Sequence, residues 1–479
     1  MNLYLIIDIG TSSLRTALLY GDRTVVDSRV QKRSAPVFFD AEKEWEQIAE
    51  MIDSLTKNHP DIHGIAVSSL LGWVGVDADG HAVTPCYTYM HQEPEFYRRY
   101  TADTPAEHTY AVCRRRAAPE QPAFKLCRIR AQEPQLYRKL SCFLSLKDFI
   151  NLKLTGKPAT DHTSASYTLL YDVAGKCWSD ECLARMGLDD SRLPALKYPW
   201  EVLAPLRPAL CQKFDIRPGC PVAVGTVDGS CGILGAGGTA SGIFVNVMGT
   251  TDTCFLVCDR LPDDPSGSLV INPHAVPGFY LAGGPMGMYG GSLEWMLKRL
   301  MFESKDLRQM NDLAAALPAG SCGVAAFPTL AGERTPFWNS DLCGTFLGLR
   351  HEHGSEHLFR AALEANCYTV RRICDLLEDC GLSVTNVLAS GGGSQSDLWL
   401  QLKADILGFP VSRSLAKEAT LEGACQLARM VAGDTPGEIS VPETSATFDV
   451  RVEEALQYDR LYADYLRIHD KLAELYPLR

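Results

Sequence analysis

The chain has 479 residues, of which 46% are hydrophobic and 22% charged, and its formal net charge is −12. The length exceeds one ordinary hydrophobic core, so at least two domains are expected, and the composition is that of a soluble globular protein. The acidic balance argues against a nucleic-acid-binding surface, which would carry basic stripes. No apolar run approaches the roughly 20 residues that cross a bilayer.

The N-terminus and the cysteines favour a cytoplasmic location. The chain enters a predicted strand at once, without the basic and apolar regions of a signal peptide. Its seventeen cysteines include no CxxC pair and no Cys/His spacing typical of a metal site. We expect reduced thiols, with Cys254 and Cys258 as small residues of the core.

The first predicted element is a β-hairpin. Apolar runs at residues 3–7 and 14–20 flank a polar turn, residues 8–13, that contains Gly-Thr. Glycine lets the backbone approach an anion closely, and several N–H groups converge at such a tip. The turn therefore predicts a phosphate-binding site. Asp8 is either a turn residue or a carboxylate that positions a hydrated magnesium ion.

Strands and helices alternate in the rest of the first half. The apolar spacing predicts a helix at residues 45–55, short buried strands at 64–69 and 74–77, and a helix at 140–154. Residues 90–125 are rich in charge and proline and have no clear period, so we expect an irregular insertion there. The pattern indicates an α/β domain.

A buried strand predicted at residues 220–225 leads to Asp228 and then to the glycine-rich run 232–238. An acid at this place either caps the following turn or serves as a catalytic base, and the two roles can coexist. The segment has too much glycine to be predicted as a helix core. The run marks the expected boundary, at about residue 240, between domains 1–240 and 241–479.

The hairpin pattern recurs about half a chain length later. Residues 243–247 and 254–257 are apolar and flank a turn, residues 248–252, that again contains Gly-Thr. Two anion-binding tips in two similar halves predict a clamp on a nucleoside triphosphate.

The remaining elements are predicted from helical spacing and from glycines. The strand at 387–390 runs into three glycines and then a helix, a succession typical of an anion or nucleotide site. The predicted helices are residues 292–302, 357–379, 397–407 and 453–475.

Other site motifs are absent from the sequence. Neither GxxxxGK[ST] nor a GxGxxG that opens a βα unit occurs, which argues against P-loop and dinucleotide-binding folds. His351 and His353 lie two residues apart on a predicted polar loop, and we assign them no metal.

Several ordered motifs resemble the FGGY family of carbohydrate kinases, members of the actin/hexokinase/Hsp70 superfamily. The most specific is residues 344–349 followed, after seven residues, by 357–364, which is similar to the family's C-terminal signature at every fixed position. The resemblance spans nearly the whole chain, and its other landmarks are residues 160–161 with 165–166, 291–295, 332–336 and 391–394.

The resemblance implies an α/β fold of two RNase H-like (actin-like ATPase) domains with an interdomain cleft. It implies that Asp228 is the general base that deprotonates the acceptor hydroxyl and that Asp8 lies near magnesium and the phosphates of ATP. The sugar would be bound mainly by the N-terminal domain, and domain closure would exclude water. The implied nucleotide-binding residues are Gly10, Thr11, Ser12, Gly249, Thr250, Gly290, Gly392 and Ser396.

The sugar-binding segment departs from the family pattern. Xylulose kinases usually carry Gln-Met-His after the strand at 64–69, and glycerol kinases Gln-Arg-Glu, whereas this chain has Ser-Leu-Leu-Gly-Trp at 69–73. The Trp-x-Asp-x-Arg landmark is replaced by residues 89–93. For each candidate replacement a core or surface placement is the alternative. The candidate sugar contacts beside Asp228 are Leu71, Trp73, Tyr89, His91 and Arg128.

The resemblance implies an ATP- and Mg²⁺-dependent kinase for a primary hydroxyl of a small sugar, with a ketose such as xylulose favoured and gluconate or a polyol next. A non-catalytic nucleotide-binding sugar sensor is the alternative from another class. An actin- or Hsp70-like mechanical or chaperone role is disfavoured by the C-terminal signature. The expected partners are a small sugar or sugar acid, with no nucleic acid and no membrane, and a second copy of the chain by analogy with relatives.

Overall fold

In the computed structural model the chain divides into two units. The first contains residues 1–235, 272–279 and 418–433, and the second contains the other described residues. Two segments from the second half of the sequence therefore belong to the first unit. The two consecutive domains expected from the sequence did not include this exchange. The structure describes residues 1–33, 37–57, 59–300, 307–433 and 444–476.

A seven-stranded sheet forms the centre of the first unit. Its two N-terminal strands are antiparallel, which confirms the first hairpin, and Leu3–Ile9 is parallel to Ile62–Ser69. Alternate side chains of Leu3–Ile9 enter two different apolar clusters, as expected of a sheet covered on both faces. The strand order is Val202–Pro205, Pro221–Ala223, Ile62–Ser69, Leu3–Ile9, Ser13–Tyr20 and Val25–Lys32, with Thr226–Val227 paired to Ile62–Ser69.

Smaller sheets complete the strands of the first unit. One has four strands in the order Phe38–Phe39, Cys86–Thr88, Gly72–Val76 and Cys142–Ser145. Two more sheets have two strands each and pair Tyr171–Asp172 with Cys177–Trp178 and Ala195–Lys197 with Ala159–Asp161.

The helices of the first unit include one from the far end of the sequence. This helix, Ala419–Val431, packs Leu421, Ala424 and Leu427 into the same apolar cluster as Tyr4 of the sheet. The others are Ala41–Thr56, Pro94–Asp103, Ala106–Cys113, Pro122–Gln132, Pro134–Lys139, Leu146–Thr155, His162–Ser166, Asp180–Arg185, Pro208–Phe214 and Asp228–Ala236.

Two predictions for the first half are wrong. Residues 90–125 are largely helical, because prolines that suggested irregular structure stand at the first helical positions of Pro94–Asp103 and Pro122–Gln132. The helix expected at 140–154 begins only at Leu146, after the strand Cys142–Ser145. Ser145 ends that strand and caps the helix through its side-chain oxygen.

The glycine-rich run after the strand Thr226–Val227 is also helical, contrary to expectation. In the helix Asp228–Ala236, a Cβ on Gly235 would lie 1.8 Å from the carbonyl oxygen of Ala419. On the facing helix, a Cβ on Gly423 would lie 1.9 Å from the carbonyl oxygen of Cys231. The glycines therefore allow two helix backbones to touch, and this contact outweighs their low helix propensity.

The second unit repeats the topology of the first. Its two-stranded hairpin is antiparallel, as predicted, and Ile243–Met248 is parallel to Asn386–Ser390. The central strands follow the order Tyr280–Gly287, Asp252–Cys258, Ile243–Met248, Asn386–Ser390, Val411–Ser414 and Thr444–Phe448. A separate pair joins Ala325–Phe327 and Thr345–Leu347.

The helices of the second unit largely follow the predicted spacing. The predicted helix at 397–407 is confirmed, and the one predicted at 292–302 begins at Tyr289, its predicted last two residues lying outside the described residues. The helix Leu307–Ala315 was not predicted. The described helices are Tyr289–Arg299, Leu307–Ala315, Ser355–Asp379, Asp397–Leu407 and Val452–Leu475.

All seventeen cysteines are free, and Cys254 and Cys258 are buried, as predicted. Within the described stretches no helix combines the length and the apolar character needed to cross a membrane.

Candidate active site

Asp8 and Asp228 lie at one edge of the first unit's sheet. Asp8 pairs with Ser68 on the neighbouring parallel strand, and Val227 pairs with Ser69 at the end of that same strand. Asp228 follows Val227 directly. Ligands of open α/β sheets bind at the carboxyl ends of the strands, so the predicted base and the predicted metal-binding acid share the edge where chemistry is expected.

The carboxyl group of Asp8 is held without a neutralising cation of its own. Burial raises its pKa to about 7, helped by the negative charge of Asp228, while Arg15 and the nearby hydroxyl of Ser68 oppose the rise. Arg15 is itself paired with Glu418. Among the described residues Oδ1 of Asp8 has no hydrogen-bond partner although it is buried. These features fit a magnesium ion, which needs only one or two carboxylates and keeps several waters.

Asp228 is the first residue of its helix and is partly exposed. Its Oδ1 accepts a hydrogen bond of 2.7 Å from the backbone N–H of Gly229. Burial raises its pKa to about 6, and that hydrogen bond opposes the rise. The carboxylate is ionised at neutral pH yet basic enough to accept a proton, as a general base requires.

The tip of the first hairpin is a tight turn. The N–H of Gly10 donates to the carbonyl of Ser13 over 2.9 Å, and the N–H of Arg33 donates to the carbonyl of Ser12 over the same distance. Thr11 is half-buried and Ser12 exposed. The tip thus presents a small hydroxyl and backbone groups two residues beyond Asp8.

A buried polar network supports the strand Thr226–Val227, which directly precedes Asp228. The sequence did not predict that this network has such a role. The hydroxyl of Thr226 donates to Asp161 over 2.8 Å, and Lys147 Nζ lies 3.0 Å from the same carboxylate. Asp161 also accepts from the backbone N–H groups of Thr163 and Ser164, each over 3.1 Å. The only sequence signal was that residues 160–161 resemble a family landmark.

In the second unit five of the predicted nucleotide-binding residues line one cavity of about 1500 Å³. Apolar side chains form part of its wall, including Leu293, Phe359 and Leu363. A large, partly apolar cavity with a few polar groups is the usual form of a cofactor site. The five predicted residues are Gly249, Thr250, Gly290, Gly392 and Ser396.

Gly290 is required by the backbone next to it. A Cβ at Gly290 would lie 2.1 Å from the carbonyl oxygen of Gly249 at the second hairpin tip. The N–H of Gly291 donates to the carbonyl of Thr250 over 3.1 Å. The start of the helix Tyr289–Arg299 therefore braces the tip, a role that the sequence did not reveal.

Ser396 lines the cavity but its hydroxyl is already used. It donates to Asn311 Oδ1 and accepts from the backbone N–H of Trp399 over 3.2 Å, which caps the helix Asp397–Leu407. Any contact of Ser396 with a nucleotide would share this hydroxyl or use its backbone.

A polar network lies buried beneath the second tip. Asn366 Nδ2 donates to Asp252 over 2.7 Å, and Lys403 Nζ donates to Asn366 Oδ1 over 2.6 Å. All three side chains are buried. The positive charge of Lys403 partly offsets the rise that burial causes in the pKa of Asp252. No motif in the sequence indicated this network.

Three of the candidate sugar contacts lie close to one another. Leu71 is half-buried just beyond the strand end near Asp8, and its carbonyl accepts from the N–H of Tyr89 over 2.9 Å. Trp73 is 4% exposed and belongs to an apolar cluster. Leu71 also packs against this cluster, so it lies near both Tyr89 and Trp73, and Trp73 has the core placement that was its alternative.

His91 and Arg128 lie together around Tyr87. The rings of Tyr87 and His91 are 4.8 Å apart, and burial with two nearby cations lowers the pKa of His91 to about 4, so the imidazole is neutral. Arg128 donates to Glu93 over 2.7 Å and to the hydroxyl of Tyr87 over 2.9 Å, and it also pairs with Glu133. The guanidinium of Arg128 is thus committed to this network.

The chain belongs to the FGGY family of carbohydrate kinases. Residues 3–235 match the family's N-terminal domain and residues 244–432 its C-terminal domain. The family resemblance and the two-domain actin-like ATPase fold expected from it are confirmed, and so is the class of enzyme, an ATP-dependent phosphotransferase that acts on a sugar hydroxyl.

Relatives named for two different substrates are similar to this chain over most of their length. A xylulose kinase of Bacillus subtilis (strain 168) is 26% identical over 98% of this chain and 97% of its own. A gluconokinase of the same strain is 27% identical over 89% and 87%. The structure of a gluconate kinase from Lactobacillus acidophilus superimposes with a TM-score of 0.90 at 25% identity and covers 99% of both chains.

Proposed function

We propose that the protein transfers the γ-phosphoryl group of ATP to a primary hydroxyl of a small sugar or sugar acid in a magnesium-dependent reaction. The observation that carries this proposal is the pair Asp8 and Asp228, two carboxyl groups with raised pKa values at the same strand edge. Their different surroundings suit different tasks, since one has a buried, unpartnered oxygen and the other is partly exposed.

Asp228 accepts the proton of the acceptor hydroxyl as its oxygen attacks the γ-phosphorus of ATP, and the bond from that phosphorus to the bridging oxygen breaks so that ADP leaves. Asp8 would hold Mg²⁺, which neutralises charge on the phosphate oxygens when bound. The Gly-Thr tips bind phosphate oxygens through backbone N–H groups, and the cavity of the second unit binds adenosine. Asp8, Asp228 and the first tip belong to the first unit, and the second tip and the cavity belong to the second.

The relatives' names support two classes of acceptor. A ketose such as xylulose is the first candidate, since xylulose kinase is the name of several similar proteins. Gluconate is the second candidate, because gluconokinases cover a similar share of the chain. A polyol is a third option.

The test is ADP release with ketoses, aldonates and polyols, for the wild type and for Asp228→Asn. We expect one acceptor class to give turnover, and the variant to lower kcat by roughly 10²–10⁴-fold with ATP affinity kept. Asp53→Asn, which removes a surface partner of Lys57, is the control and should match the wild type. ATP binding without turnover on any acceptor would instead support the sugar-sensor alternative.

A further inference from the structure

Arg115 is a buried cation for which the described residues supply no carboxylate partner. The residue is 6% exposed. The titratable groups that act on it most strongly are the phenols Tyr167 and Tyr110 and the thiol Cys113, none of which is a carboxylate. Burial lowers the pKa of Arg115, but a guanidinium starts so high that it keeps its proton.

The guanidinium is fixed in place by neutral groups. It lies over the ring of Tyr167, 4.1 Å from the ring centre, and Nη2 donates to Asn272 Oδ1. The hydroxyl of Ser166 donates to Asn272 Oδ1 over 3.1 Å. Asn272 Nδ2 in turn donates to the hydroxyl of Tyr167 over 3.3 Å. The Nε of Arg115 has no hydrogen-bond partner in the described part of the chain.

Such an arrangement costs stability unless an anion completes it. Removing a charge from water is expensive, and buried charges in proteins are normally paired. Stacking on one ring and hydrogen bonds to the neutral side chains of Asn272 and Tyr167 recover only part of that cost. A buried cation without a neutralising partner is typical of an anion-binding site rather than of a structural core.

Tyr167 connects this cation with the catalytic carboxylate. The charges of both Arg115 and Asp228 act on the pKa of Tyr167, which burial raises most and Asp228 raises further. The helix His162–Ser166, which Tyr167 follows directly, is capped by Asp161, and Asp161 accepts a hydrogen bond of 2.8 Å from Thr226, two residues before Asp228. Tyr167, which is half-buried, thus lies near both groups within the first unit.

We propose that Arg115 binds the carboxylate of a sugar acid whose primary hydroxyl, at the opposite end of the carbon chain, faces Asp228. The inference rests on the proposed kinase function and selects an aldonate over the neutral ketose. The planar fork of a guanidinium matches a carboxylate with two parallel hydrogen bonds, and its single charge matches a single negative charge. Tyr167 and Asn272 position the fork.

The decisive comparison is gluconate against glucitol, which differ only in a carboxylate or a hydroxymethyl group at one end. For the wild type we expect a higher kcat/KM with gluconate, and a rise in melting temperature on adding gluconate without nucleotide. In Arg115→Met, kcat/KM with gluconate should fall roughly 30-fold or more while the value with glucitol changes little. Arg115→Lys should be intermediate, since it keeps the charge without the fork.

The exposed Arg99, paired with Glu95, gives a matched control, and Arg99→Met should leave both acceptors unaffected. Ligand-free Arg115→Met should melt no lower than the wild type, because an uncompensated buried charge is removed. If that variant does not fold, Arg115→Lys carries the test through a higher KM for gluconate alone.

The inference is overturned if gluconate does not shift the wild-type melting temperature, or if Arg115 variants lose activity equally on gluconate and glucitol. Turnover of neutral sugars only would also overturn it while leaving the kinase proposal intact. Bound ATP with no ADP release from any acceptor would remove the kinase proposal, and the gluconate-dependent melting shift would then still decide whether Arg115 binds a carboxylate.

Discussion

At the scale of single residues, the first unit carries charges that do not favour folding. Burial raises the pKa values of both Asp8 and Asp228. The negative charge of Asp228 raises the pKa of Asp8 further. Proteins retain such groups where function needs them, because active sites trade stability for reactivity.

The first prediction concerns the pH dependence of catalysis. The carboxyl group of Asp228, with a pKa of about 6, must be ionised to accept a proton. We therefore expect kcat/KM to fall about tenfold per pH unit below that pKa, as measured from initial rates at constant magnesium and ATP. A rate that stays constant between pH 7 and pH 5 would contradict a role for Asp228 as the base.

The second prediction concerns stability without metal or substrate. The pKa of Asp8 is raised from 3.8 to about 7, so its contribution to stability is complete below about pH 3.8 and is lost as the pH rises towards 7. Asp8→Asn removes the charge. Its melting temperature at pH 8 should exceed that of the wild type by a few degrees, and the difference should shrink at pH 5.

Asp53→Asn serves as the control for this measurement, since Asp53 is paired with Lys57 on the surface. A melting temperature of Asp8→Asn below that of the wild type at both pH values would show that Asp8 stabilises the fold.

At the scale of elements, the helix Asp228–Ala236 depends on contact between backbones. The third prediction is that Gly235→Ala destabilises the protein by several kcal/mol, because its Cβ would overlap the carbonyl of Ala419 at 1.8 Å. Gly232→Ala in the same helix is the matched control: its Cβ would lie 3.7 Å from Thr420 Oγ1, an ordinary contact. Denaturant unfolding measures both, and equal effects would contradict the packing argument.

The second hairpin depends on its buried polar network. The fourth prediction is that Lys403→Met, which leaves Asn366 Oδ1 unpaired and Asp252 without a nearby cation, lowers stability by about 1–3 kcal/mol and raises the KM for ATP. Lys471→Met on the exposed tail helix should change neither quantity. An unchanged KM for ATP would show that the network does not position the tip.

Elements with a local pattern could be predicted from the sequence. Both hairpins and the helix at 397–407 follow from runs of apolar residues and from glycines or caps within a few positions. The helix Asp228–Ala236 could not be predicted in this way, because its glycine at position 235 is required by contact with a backbone almost 200 residues away in the sequence. The same holds for the surroundings of Arg115, since its neighbours Tyr167 and Asn272 lie on distant segments of the chain.

At the scale of the whole molecule, the first unit is completed by residues from the second half. The helix Ala419–Val431 places Leu421, Ala424 and Leu427 against Tyr4 and Ile6 of the sheet. Position in the sequence gives no sign of this return, since the contact joins residues about 400 positions apart. Candidate site residues could therefore be proposed from motifs, whereas the core that supports them could not be predicted.

The fifth prediction follows from this composition. A fragment of residues 1–240 should show no cooperative thermal unfolding, because one face of its sheet lacks the covering helix. A synthetic peptide of residues 416–433 added to the fragment should restore part of the transition, and a peptide with Leu421 and Leu427 changed to Asp should not. Circular dichroism measures both, and a sharp transition of the fragment alone would contradict the prediction.

The late position of this helix also affects biosynthesis. Ribosomes extend a chain from its N-terminus, and N-terminal domains generally acquire their structure first. Here the helix that covers one face of the N-terminal sheet begins about 400 residues after the first strand of that sheet. Until that helix has been synthesised, the apolar face formed by residues such as Tyr4 and Ile6 lacks its covering side chains.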